Sequence, residues 1–364
     1  MFRTYDRIFL ITTIVLLLVG FMIFASAALG VMAREGYPFS AIATSQVAAI
    51  VLGLGLMLLA MHVPYRKLRP AALPFLIISL LGTALVFVPG LGVEVNGARR
   101  WIELGPVSIQ PAEFLKYAAV LFAAHWLALN RRRVPTTRGG LLPFMAFTGV
   151  IALLLLAQPD TGTLLVIGLA LTGMYVAAGA RLKDLVILGG AGVAALTALA
   201  LVRPYIMERI LTFLNPAADP LGASYQLQQS LIAVGSGGWF GRGFGQSVQK
   251  FSFLPEPLSD SIFSVAAEEF GFVGMILLLG LFTFFAWRGL LIASRASDLF
   301  GGLLAVGIVI LIASQSLMNV ASMLGVMPLT GVPLLFVSDG GTAMLTTLAG
   351  VGVVLSVSRA RKRT

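Results

Sequence analysis

Cysteine is absent from this chain of 364 residues, and only 11% of the residues are charged. The absence of cysteine excludes disulfides and thiolate chemistry, although it does not identify the compartment. By contrast, 58% of the residues are hydrophobic and the mean hydropathy is +0.97. Soluble domains do not have this balance, so the composition predicts a polytopic membrane protein.

Ten apolar runs are long enough to cross a bilayer as helices, since each has on the order of 20 residues. The first run is too long for the core of a signal peptide, and we interpret it as a retained anchor. The sequence therefore predicts an all-α polytopic membrane protein with about ten transmembrane helices, in which residues 1–364 form a single integral membrane domain. The predicted spans are 8–30, 41–62, 72–92, 111–129, 141–158, 162–180, 183–202, 261–287, 299–323 and 333–357.

Lysine and arginine are concentrated in the loops on one side of these spans and near both ends of the chain, including Arg3 and residues 361–363. The positive-inside rule makes that side cytoplasmic, so both termini are predicted inside. We attribute the basic clusters and the net charge of +10 to topology and contact with anionic lipid rather than to nucleic-acid binding.

Acidic residues show the opposite distribution, because most of the fifteen fall on the predicted outer side or in helix ends that face it. Acids contribute little to topology, so a site that handles cations or protons there is one explanation. The two histidines, His62 and His125, lie near cytoplasmic helix ends, which disfavours histidine base catalysis and zinc hydrolysis on the outer side. Carboxylate, lysine and arginine chemistry remains, with a divalent cation such as Mg²⁺ or Mn²⁺ as the cofactor that would suit it.

The stretch Phe253–Gly274 carries four acids, Glu256, Asp260, Glu268 and Glu269, at the outer edge of the eighth span. A charged residue costs roughly 2.5 to 3.5 kcal/mol at the centre of a membrane helix, so function is the first hypothesis for such acids. Asp260 is the leading candidate, although it could simply cap the helix. Glu268 lies about 80° around the helix from Asp260 and is predicted to share its cavity. Glu269 is nearer the opposite face and is predicted to pair with another helix.

Three further motifs contain charged residues on the outer side. Glu113 and Lys116 lie three residues apart at the start of the fourth span, and hence on one face of it. Glu113 could cap the helix, but a Glu–Lys pair lining a polar cavity explains both residues. Arg99 and Arg100 could bind phosphate or anchor the chain in the interface. Asp160, in the tight turn between the fifth and sixth spans, could be a site residue or a turn residue.

Residues 203–260 form a large extracytoplasmic loop between the seventh and eighth spans, and loops of this length are often functional. The loop contains three cations, Arg209, Arg242 and Lys250, that could stabilise developing negative charge. Its glycine-rich stretch 235–245 lacks the spacing and the preceding strand of a nucleotide-binding loop. We predict a flexible loop near a site, and no organic cofactor.

Several stretches resemble the SEDS family (shape, elongation, division and sporulation), in order and over almost the whole chain. Two positions depart from the family pattern: Asp339 stands where an aromatic residue is usual, and EPLSD at 256–260 lacks the usual histidine. Residues 331–333 look more like the elongation members and residues 245–250 more like the division members, and we favour elongation. The matching stretches are GARRWI at 97–102, QPAEFLK at 110–116, QPDTGT at 158–163, the segment 213–245, FLPEPLSDSIFSVAAEEFGFVG at 253–274 and MPLTGVPLLFVSDGG at 327–341.

The resemblance implies a peptidoglycan glycosyltransferase that polymerises lipid II at the outer face of a bacterial cytoplasmic membrane, together with a class B penicillin-binding protein, a transpeptidase. The 4-hydroxyl of one lipid-linked sugar would attack the anomeric carbon of another and displace undecaprenyl pyrophosphate. The family's critical aspartate corresponds to Asp260, and Glu113 and Lys116 match family cavity residues. We therefore expect Asp260 to act as general base, and Lys116 to support the pyrophosphate or to orient Asp260.

Two other classes of function stay open. A lipid II flippase would need a polar path that opens to both membrane faces, whereas the polar residues here gather near one face. A scaffold that only recruits a partner enzyme would not need an acid at Asp260 beside a Lys–Glu pair. The ligands of a divalent cation cannot be assigned from the sequence.

Overall fold

The structure is a computed structural model that describes residues 5–36, 38–95, 98–105, 107–216, 219, 222 and 224–360. Several residues used above lie outside these ranges. They are the terminal basic residues Arg3 and 361–363, the glycine that opens the Arg99–Arg100 motif, and part of the segment 213–245.

Thirteen α-helices and three short strands are formed by the described residues. The strands are β1 (Gly92–Val95), β2 (Ala98–Leu104) and β3 (Val107–Ile109). The helices are α1 (Arg7–Glu35), α2 (Phe39–His62), α3 (Ala72–Ala84), α4 (Pro111–Leu129), α5 (Leu142–Ala157), α6 (Thr161–Ala177), α7 (Leu182–Val202), α8 (Pro204–Leu214), α9 (Tyr225–Ser236), α10 (Gln249–Ser252), α11 (Ile262–Ser294), α12 (Leu299–Met323) and α13 (Gly341–Arg359).

The predicted polytopic helical fold is confirmed. Eight of the described helices are long and apolar enough to cross a membrane, and α3 and α6 are the shorter apolar helices that complete the ten predicted spans. The bounds of α4 and α12 match the prediction because local signals mark their ends. Pro111 occupies the first turn of α4, and Asp298 caps α12 by accepting a hydrogen bond from the Gly301 N–H.

Two of the predicted spans extend well beyond their helices. The third was expected to reach residue 92, but helical structure ends at Phe87 and the chain turns through Gly90, which has a φ of 85°. The tenth was expected to begin at residue 333, but α13 begins only at Gly341. The preceding segment, 332–340, is apolar but not helical, and side chains from other elements bind its backbone. Apolar composition alone cannot distinguish such a segment from a helix.

The sequence analysis missed the small sheet. It is antiparallel in the order β1-β2-β3, with Val93 opposite Trp101 and Ile102 opposite Ile109. Successive residues of a strand point to opposite faces, so Arg99 and Arg100 on β2 lie in different environments. Arg99 is exposed, whereas Arg100 is half-buried.

The core of the bundle lies around α12, which packs against α4, α6, α9, α11 and α13. At the other extreme, α7 packs mainly against α8, and most of its large apolar side chains are exposed. An apolar helix with so little protein around it is suited to contact with lipid acyl chains. The N-terminal end of α11, the C-terminal end of α12 and the loop between α7 and α11 enclose the site described next.

Helix α11 is broken at Gly271, whose φ of 65° interrupts the helical hydrogen-bond ladder. The glycine-rich stretch supplies the missing partners. The N–H groups of Phe272 and Val273 donate to the carbonyls of Gly238 and Trp239, at 2.9 and 3.0 Å. A Cβ at Gly271 would lie 2.2 Å from the Gly241 nitrogen, so both segments of the chain need glycine where they cross. The stretch predicted as a flexible loop is therefore bound to the backbone of α11.

Candidate active site

A cavity of about 250 Å³ opens between α8, α9, the turn that precedes α11, the end of α12 and residues 329–331. Its wall combines apolar side chains such as Phe213 and Leu329 with a small set of polar ones. Pockets with a few convergent polar groups are the usual form of a ligand site. The polar lining comes from Tyr205, Glu208, Arg209, Thr212, Gln226 and Asp260.

Asp260 lies in the tight turn before α11 and is half-buried. Its N–H donates to the Ser259 hydroxyl at 2.6 Å. Burial, and secondarily the negative charge of Glu256, raise the pKa of Asp260 to about 6, against the opposing effects of Ser259, Arg209 and Arg100. A carboxylate with this pKa is largely ionised at neutral pH and still basic enough to take a proton, which suits a general base.

Arg209 is the cation that lines the cavity together with Asp260. It lies on α8, where its Nη1 donates to the Leu329 carbonyl at 3.0 Å and its guanidinium lies 5.5 Å from the centre of the Tyr205 ring. Burial lowers its pKa from the usual value, but arginine stays charged. Its remaining N–H donors make it the best-placed group for a phosphate in this cavity.

Glu113 and Lys116 form the predicted pair, with 2.7 Å between Nζ and Oε1. Both side chains are almost fully buried, and Lys116 also donates to the Gln315 Oε1 at 2.6 Å. Neither residue lines the cavity that contains Asp260. Instead, Gln315 donates to the carbonyl of Pro333 at 3.2 Å, so the pair lies behind the segment 332–340. The pair therefore reaches Asp260 only through intervening groups.

Asn319, one turn after Gln315 on α12, was missed by the sequence analysis. Its Nδ2 donates to the carbonyls of Asp260 and Val332, each at 2.8 Å. The position four residues after Gln315 puts both amides on one face of α12. That spacing was the available signal, since two carboxamides in an otherwise apolar helix need partners.

Arg100 and Asp160 meet at the turn between α5 and α6. Arg100 donates to the carbonyls of Gln158 and Pro159, and its Nη1 lies 3.9 Å from the Asp160 Oδ1. Asp160 caps α6 by accepting from the Thr163 N–H at 3.2 Å. The two residues thus stabilise the turn. In this geometry Asp160 acts as a turn residue. On the other face of β2, Arg99 pairs with Glu94 at 3.1 Å, and both side chains are about half exposed.

Glu268 and Lys250 lie away from the Asp260 cavity, contrary to the cavity predicted for Glu268. The Glu268 carboxylate accepts hydrogen bonds from the Ser247 hydroxyl at 2.5 Å and from the N–H groups of Val248 and Gln249 at 3.1 and 3.2 Å. Its Oε1 also lies 3.4 Å from Arg242 Nη1. The carboxylate is thereby committed to the backbone of the loop.

Glu269 pairs with Lys250 at 2.6 Å, and both side chains are at most 1% exposed. The Ser26 hydroxyl of α1 completes the group, at 2.7 Å from the Glu269 carboxylate and 2.8 Å from Lys250 Nζ. Glu269 therefore faces another helix, as its position around α11 predicted. Lys250 is fully engaged and is not available to a substrate in the cavity.

A resident metal site is not apparent in the donor set. Among the residues that the structure describes, no group of three or more histidine, cysteine, aspartate or glutamate side chains could hold a metal ion. The predicted Mg²⁺ or Mn²⁺ stays a prediction, and it fits best as an ion that arrives with the phosphates of a substrate.

Comparisons with known proteins agree with this architecture. Stage V sporulation protein E of Bacillus subtilis (strain 168) is 40% identical over 356 residues, which cover 97% of each chain. A probable peptidoglycan glycosyltransferase FtsW of Trichlorobacter lovleyi is 37% identical, over 98% of this chain and 94% of the relative.

Solved structures extend the likeness to three dimensions. A chain of a peptidoglycan synthase complex that coordinates polymerization and crosslinking has a TM-score of 0.81 and 31% identity, with 99% of both chains covered. The rod shape determining protein RodA of Thermus thermophilus has a TM-score of 0.72 and 31% identity, over 99% of this chain and 98% of that one. A family model described as cell cycle protein, which groups FtsW, RodA and SpoVE, matches residues 6–363. The chain therefore belongs to this family, and the SEDS membership predicted from its motifs is confirmed.

Proposed function

We propose that this chain is a peptidoglycan glycosyltransferase that polymerises lipid II at the outer face of the cytoplasmic membrane, with Asp260 as its general base. The observation that carries the proposal is the cavity in which Asp260, with its pKa raised to about 6, faces Arg209. The names of the relatives support the enzyme class, because several are named probable peptidoglycan glycosyltransferases.

In the proposed reaction, the Asp260 carboxylate accepts the proton of the acceptor sugar's 4-hydroxyl. As that oxygen bonds to the anomeric carbon of the donor, the bond from this carbon to the pyrophosphate oxygen breaks. The electron pair leaves with undecaprenyl pyrophosphate, and the proton remains on Asp260 until solvent removes it. A positioned base of this kind contributes typically 10²- to 10⁴-fold to a rate.

Arg209 is proposed to stabilise the negative charge that develops on the leaving pyrophosphate. Arginine presents several N–H donors in a fixed fork that matches phosphate geometry. The other outer cations of the sequence analysis are already engaged: Arg99 with Glu94, Arg100 with the turn at Asp160, Arg242 with Glu268, and Lys250 with Glu269. Of the two roles expected for Lys116, direct support of the pyrophosphate is disfavoured because Lys116 does not line the cavity. Indirect orientation of Asp260 is the role that we retain.

The test uses purified protein in liposomes with lipid II, with and without a chelator of divalent cations, and measures glycan polymer on gels. Wild-type protein should make polymer, Asp260→Asn should not, and chelation should abolish the activity if a cation accompanies the pyrophosphate. Glu103→Gln is a matched control, since Glu103 is an exposed acid on β2, away from the cavity. Normal polymerisation by Asp260→Asn would rule out the base.

The same assay separates the two alternatives. Lipid II transport across the bilayer that survives Asp260→Asn, with no polymer from the wild type, would favour a flippase. A scaffold would make no polymer and transport no lipid. Because weak activity without a partner is expected for this family, the assay is repeated with a class B penicillin-binding protein, the proposed partner.

The biological setting is proposed to be cell elongation. The relatives bear sporulation, division and rod-shape names, so they do not separate these branches. Expression in bacterial cells depleted of either the rod-shape or the division member decides between them. Restored rod shape without restored division is the expected outcome, and the reverse would assign the chain to division.

A further inference from the structure

We propose that Asn319 is a positioning residue, which holds the Asp260 turn and the adjacent wall of the cavity at a fixed separation through the two hydrogen atoms of one side-chain amide. This inference rests on the proposed function, since it assigns how the base is held. Asn319 is a buried residue on α12, the central helix of the bundle. It lies where α12 is surrounded by other helices and is not itself part of the cavity lining.

The two carbonyls that Asn319 binds belong to two neighbouring chain segments at the wall of the cavity. One is that of Asp260 itself, and the other is that of Val332, which follows the lining residue Gly331. A Cβ at Gly331 would lie 3.5 Å from Asp260 Oδ2, so the wall passes directly beside the reacting group. A shift of either carbonyl would therefore change the position of the carboxylate relative to its own cavity.

The amide is suited to this task because it has two N–H donors and both are used. Neither carbonyl lies inside a helix, so neither has a partner in a helical ladder. The Asn319 Oδ1, by contrast, has no hydrogen-bond partner among the described residues. A buried asparagine whose donors alone are satisfied is better explained by the need for those donors than by general packing.

Neighbouring contacts complete the support and give Lys116 its indirect role. Gln315 holds the next carbonyl, that of Pro333, and accepts from Lys116. At the other end of the segment, the Ser338 hydroxyl donates to the Ser259 carbonyl at 2.7 Å, and the Asp339 N–H donates to the Leu258 carbonyl at 2.7 Å. Hydrogen bonds thus connect the Asp260 turn to the segment 332–340 at Leu258 and Ser259, and Asn319 makes the connection at Asp260 itself.

The test measures steady-state polymerisation of lipid II over a range of pH with two variants, Asn319→Leu and Asn319→Ser. Leucine has a similar size and no donor, and serine keeps one shorter donor. The matched control is Ser316→Ala, because Ser316 is also buried on α12 but bonds only to the Ile312 carbonyl of its own helix.

We expect kcat of Asn319→Leu to fall about 10²-fold, as misplacement of a catalytic group by about 1 Å can cause. KM should change less than about threefold, because ground-state binding is retained. Asn319→Ser should be intermediate and Ser316→Ala unchanged.

The pH profile provides a readout that a folding defect does not move. The rate falls on the acid side as Asp260 is protonated, and a loosened turn admits water and lowers the pKa of Asp260 towards its ordinary value. The acid limb should therefore move to lower pH. The charged groups that act on Asp260 are Glu256 in its own turn, Arg209 on α8 and Arg100 on β2. Glu208 on α8 lines the same cavity, and Asp339 lies on the segment that is hydrogen-bonded to the turn. All five are kept in the variants.

The outcomes separate this inference from the proposed function. Wild-type kcat and an unmoved acid limb in Asn319→Leu would overturn it, and so would a loss of kcat with an unmoved limb, which indicates only less folded protein. If Asn319→Leu does not fold, as judged by thermal melting in detergent, Asn319→Ser decides by the same two readouts. Failure of Asp260 as the base is seen independently, as full activity of Asp260→Asn.

Discussion

Asp260 and the pair Glu268–Glu269, near the N-terminal end of α11, have opposite surroundings, although only eight residues separate Asp260 from Glu268. Asp260 lines a cavity, has no salt bridge within the described residues, and has its pKa raised by burial. Glu268 and Glu269 are buried more deeply but are fully engaged, by backbone N–H groups in one case and by Lys250 and Ser26 in the other. Both groups bear the desolvation cost of a carboxylate near a membrane. At Asp260 the cost is only partly offset, by Ser259, Arg209 and Arg100, so its pKa stays raised, as is common for carboxylates at functional sites.

The largest effect on polymerisation is expected from substitution of Asp260. The change Asp260→Asn keeps the size of the side chain but removes the base, so polymerisation of lipid II should fall by about 10²- to 10⁴-fold. The melting temperature of the purified protein should stay the same or rise, because no ion pair is lost. A variant that unfolds instead would mean that Asp260 belongs with the structural acids.

The reverse pattern is expected at Glu269. The change Glu269→Gln leaves the buried ammonium of Lys250 without its carboxylate, which should destabilise the protein by about 3 to 5 kcal/mol. Thermal or denaturant unfolding in detergent measures this loss. The double variant Glu269→Gln with Lys250→Met removes both charges and should recover much of the stability. If the single variant melts like the wild type but has lost polymerisation, the structural assignment is wrong.

Substitution of Arg209 tests whether the cavity that contains Asp260 is a substrate site. The change Arg209→Gln removes a charged donor facing the cavity, and kcat/KM for lipid II should fall by about 10- to 10²-fold, as expected for loss of one charge-assisted hydrogen bond. The control is Arg242→Gln, because Arg242 is an exposed partner of Glu268 outside the cavity. Equal losses in both variants would contradict a specific role for Arg209.

The smallest effect concerns Glu256, an exposed residue in the Asp260 turn. Its negative charge raises the pKa of Asp260, although less than burial does. The change Glu256→Gln should therefore lower that pKa, and the acid limb of the polymerisation profile should move to lower pH by only part of the total elevation. The same substitution should leave the maximal rate nearly unchanged. An acid limb that moves to higher pH would show that Asp260 is not the titrating group.

Much of the fold and part of the site could be predicted from local sequence. Long apolar runs identify spans because the hydrocarbon core admits only internally bonded backbone, and the bounds of α4 and α12 follow from a proline and a capping acid. The Glu113–Lys116 pair follows from helical spacing, and Glu269 was assigned to another helix for the same reason. These are properties of neighbouring residues on one helix, which a sequence specifies directly.

The rest depended on contacts between distant segments. The apolar segment 332–340 is not helical because Asn319, Gln315 and Ser338 bind its backbone and that of its neighbours. The glycine-rich stretch is bound at the break in α11, which no local pattern indicated. A cation that is paired with a buried carboxylate cannot be distinguished by sequence from one that lines a cavity. Lys250 and Arg209 were therefore equivalent candidates.

Composition and short motifs are enough to predict a membrane protein of about ten helices in the SEDS family, with an unusual concentration of acids in the stretch Phe253–Gly274. Composition and short-range spacing carry that information because each span meets the bilayer individually. The tertiary structure was needed to show that Asp260 lines a cavity and that Glu269 is paired with a lysine. Glu269 is neutralised by Lys250 and accepts a further hydrogen bond from Ser26 of α1. The approach of such distant partners is a property of the packed bundle.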